Sequence, residues 1–104
     1  MSTTTKRITE SYTCAAISTG NLTEEDALLL KHLANTGSQQ ILQRESGFFI
    51  KLIETDDSAE SCNLHPQYSP SLLGIIDFVY MAGARMIEFD KDAKAIEGFP
   101  VFEW

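Results

Sequence analysis

The alternation of apolar and polar residues divides the chain into six segments. Tyr12–Ser18 is rich in β-formers and small residues and stops at Thr19-Gly20-Asn21, a turn sequence, so it predicts a first strand. Ala27, Leu29, Leu30, Leu33 and Ala34 recur at helical spacing, and Asn35-Thr36-Gly37 closes that run. Thr23 stands where an N-cap belongs, with Asp26 three residues on in a variant of the capping box. Glu24, Glu25 and Asp26 fill the first turn, where the helix dipole favours negative charge.

Gln39–Arg44 and Gly47–Glu54 predict two strands joined by a short hairpin connection. Side chains alternate along a strand, so Phe48, Ile50 and Leu52 point one way and Phe49, Lys51 and Ile53 the other. The first set predicts a core face. The second predicts a half-covered sheet face, with Phe49 and Ile53 available to a partner or to a second copy.

The polar stretch 55–69 is long for a connection in a small domain, and it is either functional or disordered. Ser69-Pro70 then starts a second helix, with serine as cap and proline at the first helical position. Leu72, Leu73, Ile75, Ile76, Val79, Tyr80 and Ala82 make this helix apolar around much of its circumference, which predicts the central core helix. Met86–Phe89 reads as a last strand before the turn Asp90-Lys91-Asp92. The tail 95–104 carries Ile96, Phe99, Val101, Phe102 and Trp104 and predicts a further short strand or a docked segment.

The order β-α-β-β-α-β predicts an α+β domain: a single antiparallel sheet with two helices on one face, in the ferredoxin-like or split βαβ plan, plus a C-terminal strand or docked tail. Residues 1–9, rich in Ser and Thr, read as a flexible arm, and 10–104 as one domain. That plan serves many unrelated functions, so it decides none of them.

Charge changes the picture. The net charge is −7, yet residues 1–51 balance five acids against five bases, while residues 52–104 hold ten acids against Arg85, Lys91 and Lys94. An acidic half repels phosphate backbones and anionic lipid and attracts basic surfaces. The expectation is therefore a basic protein surface as partner, with no direct nucleic-acid contact and no membrane contact. Candidate contacts are Glu54, Asp56, Asp57, Glu60, Glu88, Asp90 and Asp92. The segment Met1–Ile8 lacks the apolar core of a secretory signal and the apolar run 72–86 is too short to span a bilayer, so a cytoplasmic location is expected.

Catalytic signatures are weak. Cys62 and His65 pair a thiol with an imidazole three residues apart, and Cys14 with His32 would complete a Cys₂His₂ set, but zinc motifs need two close pairs and these two stand apart. A thiol enzyme using Cys62 and His65 meets an acidic loop that disfavours the thiolate. Glu88 and Asp90, on one face of a strand, are the candidate acid–base pair and read more simply as surface. Asp90-Lys-Asp92 opens like a calcium loop but has Ala95 at the sixth position and Val101 at the twelfth, which excludes an EF-hand. No glycine-rich phosphate loop or nucleophile elbow is present. The reading is of a non-enzyme with no metal and no cofactor.

Met86-Ile-Glu-Phe-Asp90, followed by the turn and by Ile96-Glu-Gly-Phe-Pro-Val-Phe-Glu-Trp104, resembles the ending of a small bacterial family of unknown function found largely on plasmids, prophages and other mobile elements. Ile17-Ser-Thr-Gly-Asn-Leu-Thr-Glu-Glu-Asp26 is similar to the lead of that family into its first helix. The resemblance implies a mobile-element origin and carries no catalytic residue. In that setting the expected function is a protein-binding domain encoded by a mobile element, one version being an inhibitor of a nucleic-acid-binding host defence complex of the anti-CRISPR or anti-restriction type. The partner would be a host or element-encoded protein. The alternatives are the thiol- or metal-dependent enzyme and a homodimer built through the face with Phe49 and Ile53.

Overall fold

The computed structural model describes residue 8 and residues 11–38, 40–52 and 66–104. Within them the chain forms β1 (Cys14–Ser18), a 3-10 turn (Thr19–Asn21), α1 (Glu24–Asn35), β2 (Ile41–Arg44), β3 (Gly47–Lys51), α2 (Pro70–Met81) and β4 (Met86–Asp90). These are the elements that the hydrophobic pattern predicts. Ile8, in the expected arm, is exposed.

Alternation sorts the two sheet faces as expected. Phe48, Ile50 and Leu52 are buried, together with Ile17, Ile41, Ile87 and Phe89 from the neighbouring strands, and they form one cluster with Ala27 and Leu30 of α1 and Leu72, Ile75, Ile76 and Val79 of α2. Both helices therefore cover the same face. The opposite face carries Leu42, Arg44, Phe49, Lys51 and Glu88, of which Leu42, Arg44 and Lys51 are exposed. Tyr68, at the end of the long polar stretch, is buried in the same core.

The sheet corrects the antiparallel expectation. Its order is β1-β4-β3-β2, with β2/β3 and β3/β4 antiparallel and β1/β4 parallel, so it is mixed. In the ferredoxin-like plan the strands flanking the second helix run parallel; here β3 and β4 oppose each other. The cause lies in the connection between them. Lys51, the last residue of β3, pairs with Met86, the first of β4, so the chain leaves one strand and joins the next at the same end of the sheet. Helix α2 spans about 18 Å and begins at the other end. The long stretch between Leu52 and Ser69 thus joins points at opposite ends of the sheet, which a short connection cannot do.

As a result α1 and α2 run parallel, with their N-termini side by side. Thr23 caps α1, its Oγ1 accepting from the Asp26 N–H at 3.0 Å, and Ser69 caps α2, its Oγ accepting from the Leu72 N–H at 3.2 Å. The Asp26 carboxylate crosses to the other helix rather than completing the capping box. Its Oδ1 accepts from the Ser69 N–H at 3.0 Å, and the Ser69 hydroxyl donates to Oδ2. At 2 % exposure, Asp26 is one of two buried polar or charged side chains among the described residues. Placed between two helix N-termini, its negative charge is favoured by both dipoles.

The tail docks without forming a strand. Asp90 turns the chain, its Oδ1 accepting from the Asp92 N–H at 2.9 Å, and residues 93–104 then cross the β1–α1 corner. Ser18 N–H donates to the Lys94 carbonyl, and Phe102 N–H to the Gly20 carbonyl. Asn21, fully buried, accepts from the Ile96 N–H through Oδ1 and donates to the Pro100 carbonyl through Nδ2, both at 2.9 Å. Gly98, at φ +87°, makes the bend between those two bonds in a region that side chains disfavour. Phe99 closes the tail against Phe78, with ring centroids 5.8 Å apart at 61°.

Two predictions test this architecture. Asp26→Ala leaves the partly buried Ser69 N–H and hydroxyl without their acceptor and is expected to cost about 2 kcal/mol, with Asp26→Asn costing less because one acceptor oxygen survives. Thermal unfolding followed by circular dichroism reads both. Gly47→Ala puts a Cβ 1.7 Å from the Phe89 carbonyl oxygen, a backbone atom of the paired strand that cannot swing aside. It is expected to destabilise the domain by about 3 kcal/mol through overpacking, whereas Gly37→Ala, with open space around the new methyl, costs only its backbone strain.

Candidate partner-binding site

Folding distributes the acidic residues differently from the chain order. Of the seven candidates, Glu54, Asp56, Asp57 and Glu60 lie outside the described residues. Glu88 stands in the middle of the helix-free sheet face, where Arg44 Nη1 meets its Oε2 at 2.7 Å. Asp90 holds the turn and faces the Ser46 hydroxyl at 3.5 Å. Asp92 is exposed beside it. Glu88 is thus neutralised by a base from the first half of the chain, and Asp90 is engaged in local structure.

A different set of carboxylates converges. Thr23, Glu24 and Glu25 at the start of α1, with Phe102, Glu103 and Trp104 of the tail, line an open groove of about 340 Å³. Glu24, Glu25 and Glu103 are exposed, and none of them forms an ion pair with another described residue. Trp104 is 60 % exposed, but its Nε1 donates to the Leu22 carbonyl at 2.9 Å, so the indole is held in place while its ring remains open to solvent. The two acids of α1 enter the helix where the dipole rewards them, and the tail delivers the third. A fixed indole beside three carboxylates is suited to a cationic side chain, through charge-assisted hydrogen bonds and a cation–π contact.

Reading the sequence assigned Glu24 and Glu25 to helix initiation and left Glu103 in the tail, so this groove was missed. One signal was available. Of the segments that carry the family resemblance, 17–26, 86–90 and 96–104, the first and last meet here, joined through Asn21, Gly20 and Leu22.

The helix-free sheet face is roofed by its own charged side chains. The Arg44 guanidinium lies 5.5 Å from the Phe49 ring centroid and Lys51 Nζ lies 5.7 Å from that of Tyr12. Phe49 is half-buried in this way, while Leu42 beside it is 63 % exposed. Ile53 lies outside the described residues.

Cys14 is on the exposed edge strand and His32 on the exposed side of the last turn of α1, and Cys62 and His65 lie outside the described residues. Partial desolvation pushes the Cys14 thiol above its ordinary range, the charge of Glu88 adds to the shift, and a backbone hydrogen bond offsets part of it. A thiol so placed is held protonated and is a poor nucleophile. Among the described residues no three of His, Cys, Asp and Glu come close enough together to hold a metal ion, and no helix is long and apolar enough to cross a membrane.

No curated protein and no solved structure matches the chain. A family of unknown function, DUF5983, matches through its C-terminal domain over residues 14–104, a span that runs from β1 through the docked tail and includes every described element. The chain accordingly belongs to this DUF5983 C-terminal domain family, whose function is unknown.

Proposed function

We propose that the domain is a non-enzymatic binding module that docks a basic segment of another protein in the groove between the start of α1 and the tail. The observation that carries this reading is the meeting of Glu24, Glu25 and Glu103 around the exposed face of Trp104. The negative charge of the whole chain steers a basic partner toward it, and the groove supplies a defined end point for a Lys or Arg side chain. Glu54, Asp56, Asp57, Glu60, Glu88, Asp90 and Asp92 belong to the same negative total, with Glu88 offset by Arg44.

The finer reading places the domain in the cytoplasm on a mobile element, as an inhibitor of a host complex that grips nucleic acid. Such a complex presents the clustered Lys and Arg that an acidic groove selects, and carboxylates would occupy positions meant for phosphates. The support is chemical complementarity together with the resemblance of 17–26 and 96–104. Self-association through the face with Leu42 and Phe49 is the second reading, favoured by the exposure of Leu42.

Trp104 is the chain's single tryptophan, so its fluorescence reports on the groove directly. The partner captured from host extract is expected to shift that emission on titration and to bind about tenfold more weakly when salt rises from about 50 to 300 mM. Glu24→Lys with Glu103→Lys is expected to abolish the shift, with both substituted side chains exposed and the fold intact by circular dichroism. Affinity unmoved by salt and by the double reversal would refute the proposal. A dimer in light scattering that Leu42→Glu dissociates would instead assign the helix-free face to a second copy.

A further inference from the structure

Strand β1 is the edge of the sheet, and its outer side is a slot that the chain itself begins to fill. Thr13 accepts from the Arg85 N–H toward β4, while Ser18 donates away from β4 to the Lys94 carbonyl. Backbone direction alternates along a strand, so Cys14 and Ala16, four and two residues before Ser18, also aim their N–H and C=O groups outward. The tail makes one such bond and then turns away, because Asn21 takes the Ile96 N–H. Next to Cys14 and Ala16, both exposed, the slot continues as a mainly apolar groove of about 430 Å³ lined by Ala15, Ala16, Phe78, Val79, Ala82 and Lys94.

The helical layer overhangs this slot. Phe78 is 54 % exposed and packs edge-on against Phe99. Sheet edges are ordinarily guarded by charge, by proline or by a covering element, and Cys14-Ala-Ala has none of the first two. Lys94 brings the one charge of the lining, and it forms no ion pair with a described residue.

The geometry points to β1 as a strand-addition site: an extended segment of a partner protein pairs with the outward backbone of Cys14 and Ala16, lays alternate apolar side chains under Phe78, Val79 and Ala82, and sets a carboxylate against Lys94. Main-chain bonds supply affinity in this mode and the side-chain groove supplies selectivity. A second copy of the chain fits less well. Two β1 edges would bring two Lys94 side chains together with no acid in either groove, between molecules of net charge −7. This site is separate from the groove at Trp104 and takes the opposite charge, so either can stand without the other.

The test uses the full chain and two synthetic peptides that alternate valine and threonine over seven residues, one with glutamate at both ends and one with lysine at both ends. The glutamate peptide is expected to bind the tighter of the two and to protect the Ala16 amide from hydrogen exchange, leaving Trp104 emission unchanged. Ala16→Pro removes an outward N–H and no bond to β4, so the domain should keep its unfolding temperature while losing affinity by about tenfold or more. Phe78→Ser, at an exposed position, is expected to weaken both peptides alike, and Lys94→Glu to reverse the preference between them. Undiminished binding to Ala16→Pro, no protection of the Ala16 amide with peptide in large excess, or a peptide-free dimer that pairs β1 with β1 overturns the assignment.

Discussion

The carboxylate of Asp26 is the point on which the arrangement of the domain turns. Two parallel helices start side by side, and each leaves backbone N–H groups and the positive end of a dipole at that place. Parallel neighbours repel through their dipoles unless a negative group sits between their N-termini. Asp26 belongs to one helix and accepts both the backbone N–H and the hydroxyl of the residue that caps the other. Burial raises the strength of those bonds and also the penalty for losing one, so this contact fixes where α2 begins. With α2 starting there, β4 enters the sheet beside the end of β3 and runs parallel to β1.

The same end of the molecule receives the tail, and Asn21 is the reason that it stays. A buried amide must spend its donor and its acceptor, and Asn21 does so on two backbone groups of one segment, four residues apart. Phe102 and Trp104 then bond to Gly20 and Leu22, so the polar contacts of residues 96–104 fall on the corner between β1 and α1. The groove with Glu24, Glu25 and Glu103 is a by-product of this docking. Helix capping chemistry brings the first two acids, and the tail's need to satisfy Asn21 brings the third.

These details explain what was legible in the sequence. Thr23 and Ser69 announced both caps because capping is a local bargain between a hydroxyl and a nearby N–H. Phe48, Ile50 and Leu52 announced the core face because strand alternation is local as well. The direction of β4 was hidden, since it depends on which end of the sheet α2 starts from, and the contact that marks that end, Asp26 with Ser69, spans 43 positions of sequence. Asp26 itself read as half of a capping box, and only packing reveals that its side chain serves the other helix. The charge asymmetry misled for a related reason. Arg44 from the balanced half cancels Glu88 from the acidic half, and two acids of the balanced half join Glu103.

The two edges of the sheet are built unequally, and the difference follows from the parallel pairing of β1. Strand β2 is four residues long, pairs antiparallel with β3 through a tight turn, and ends in Gln43 and Arg44, polar groups that discourage a further strand. Strand β1 is placed by β4 on one side and by the corner at its end, and its own side chains are small so that the tail can pass close by. Small residues on an edge leave its backbone accessible. Had β1 been an interior strand, as the split βαβ plan would make it, both of its backbone rows would be spent within the sheet and no such edge would exist. The topology of this sheet, with β4 between β1 and β3, therefore places Cys14 and Ala16 at its border rather than in its middle.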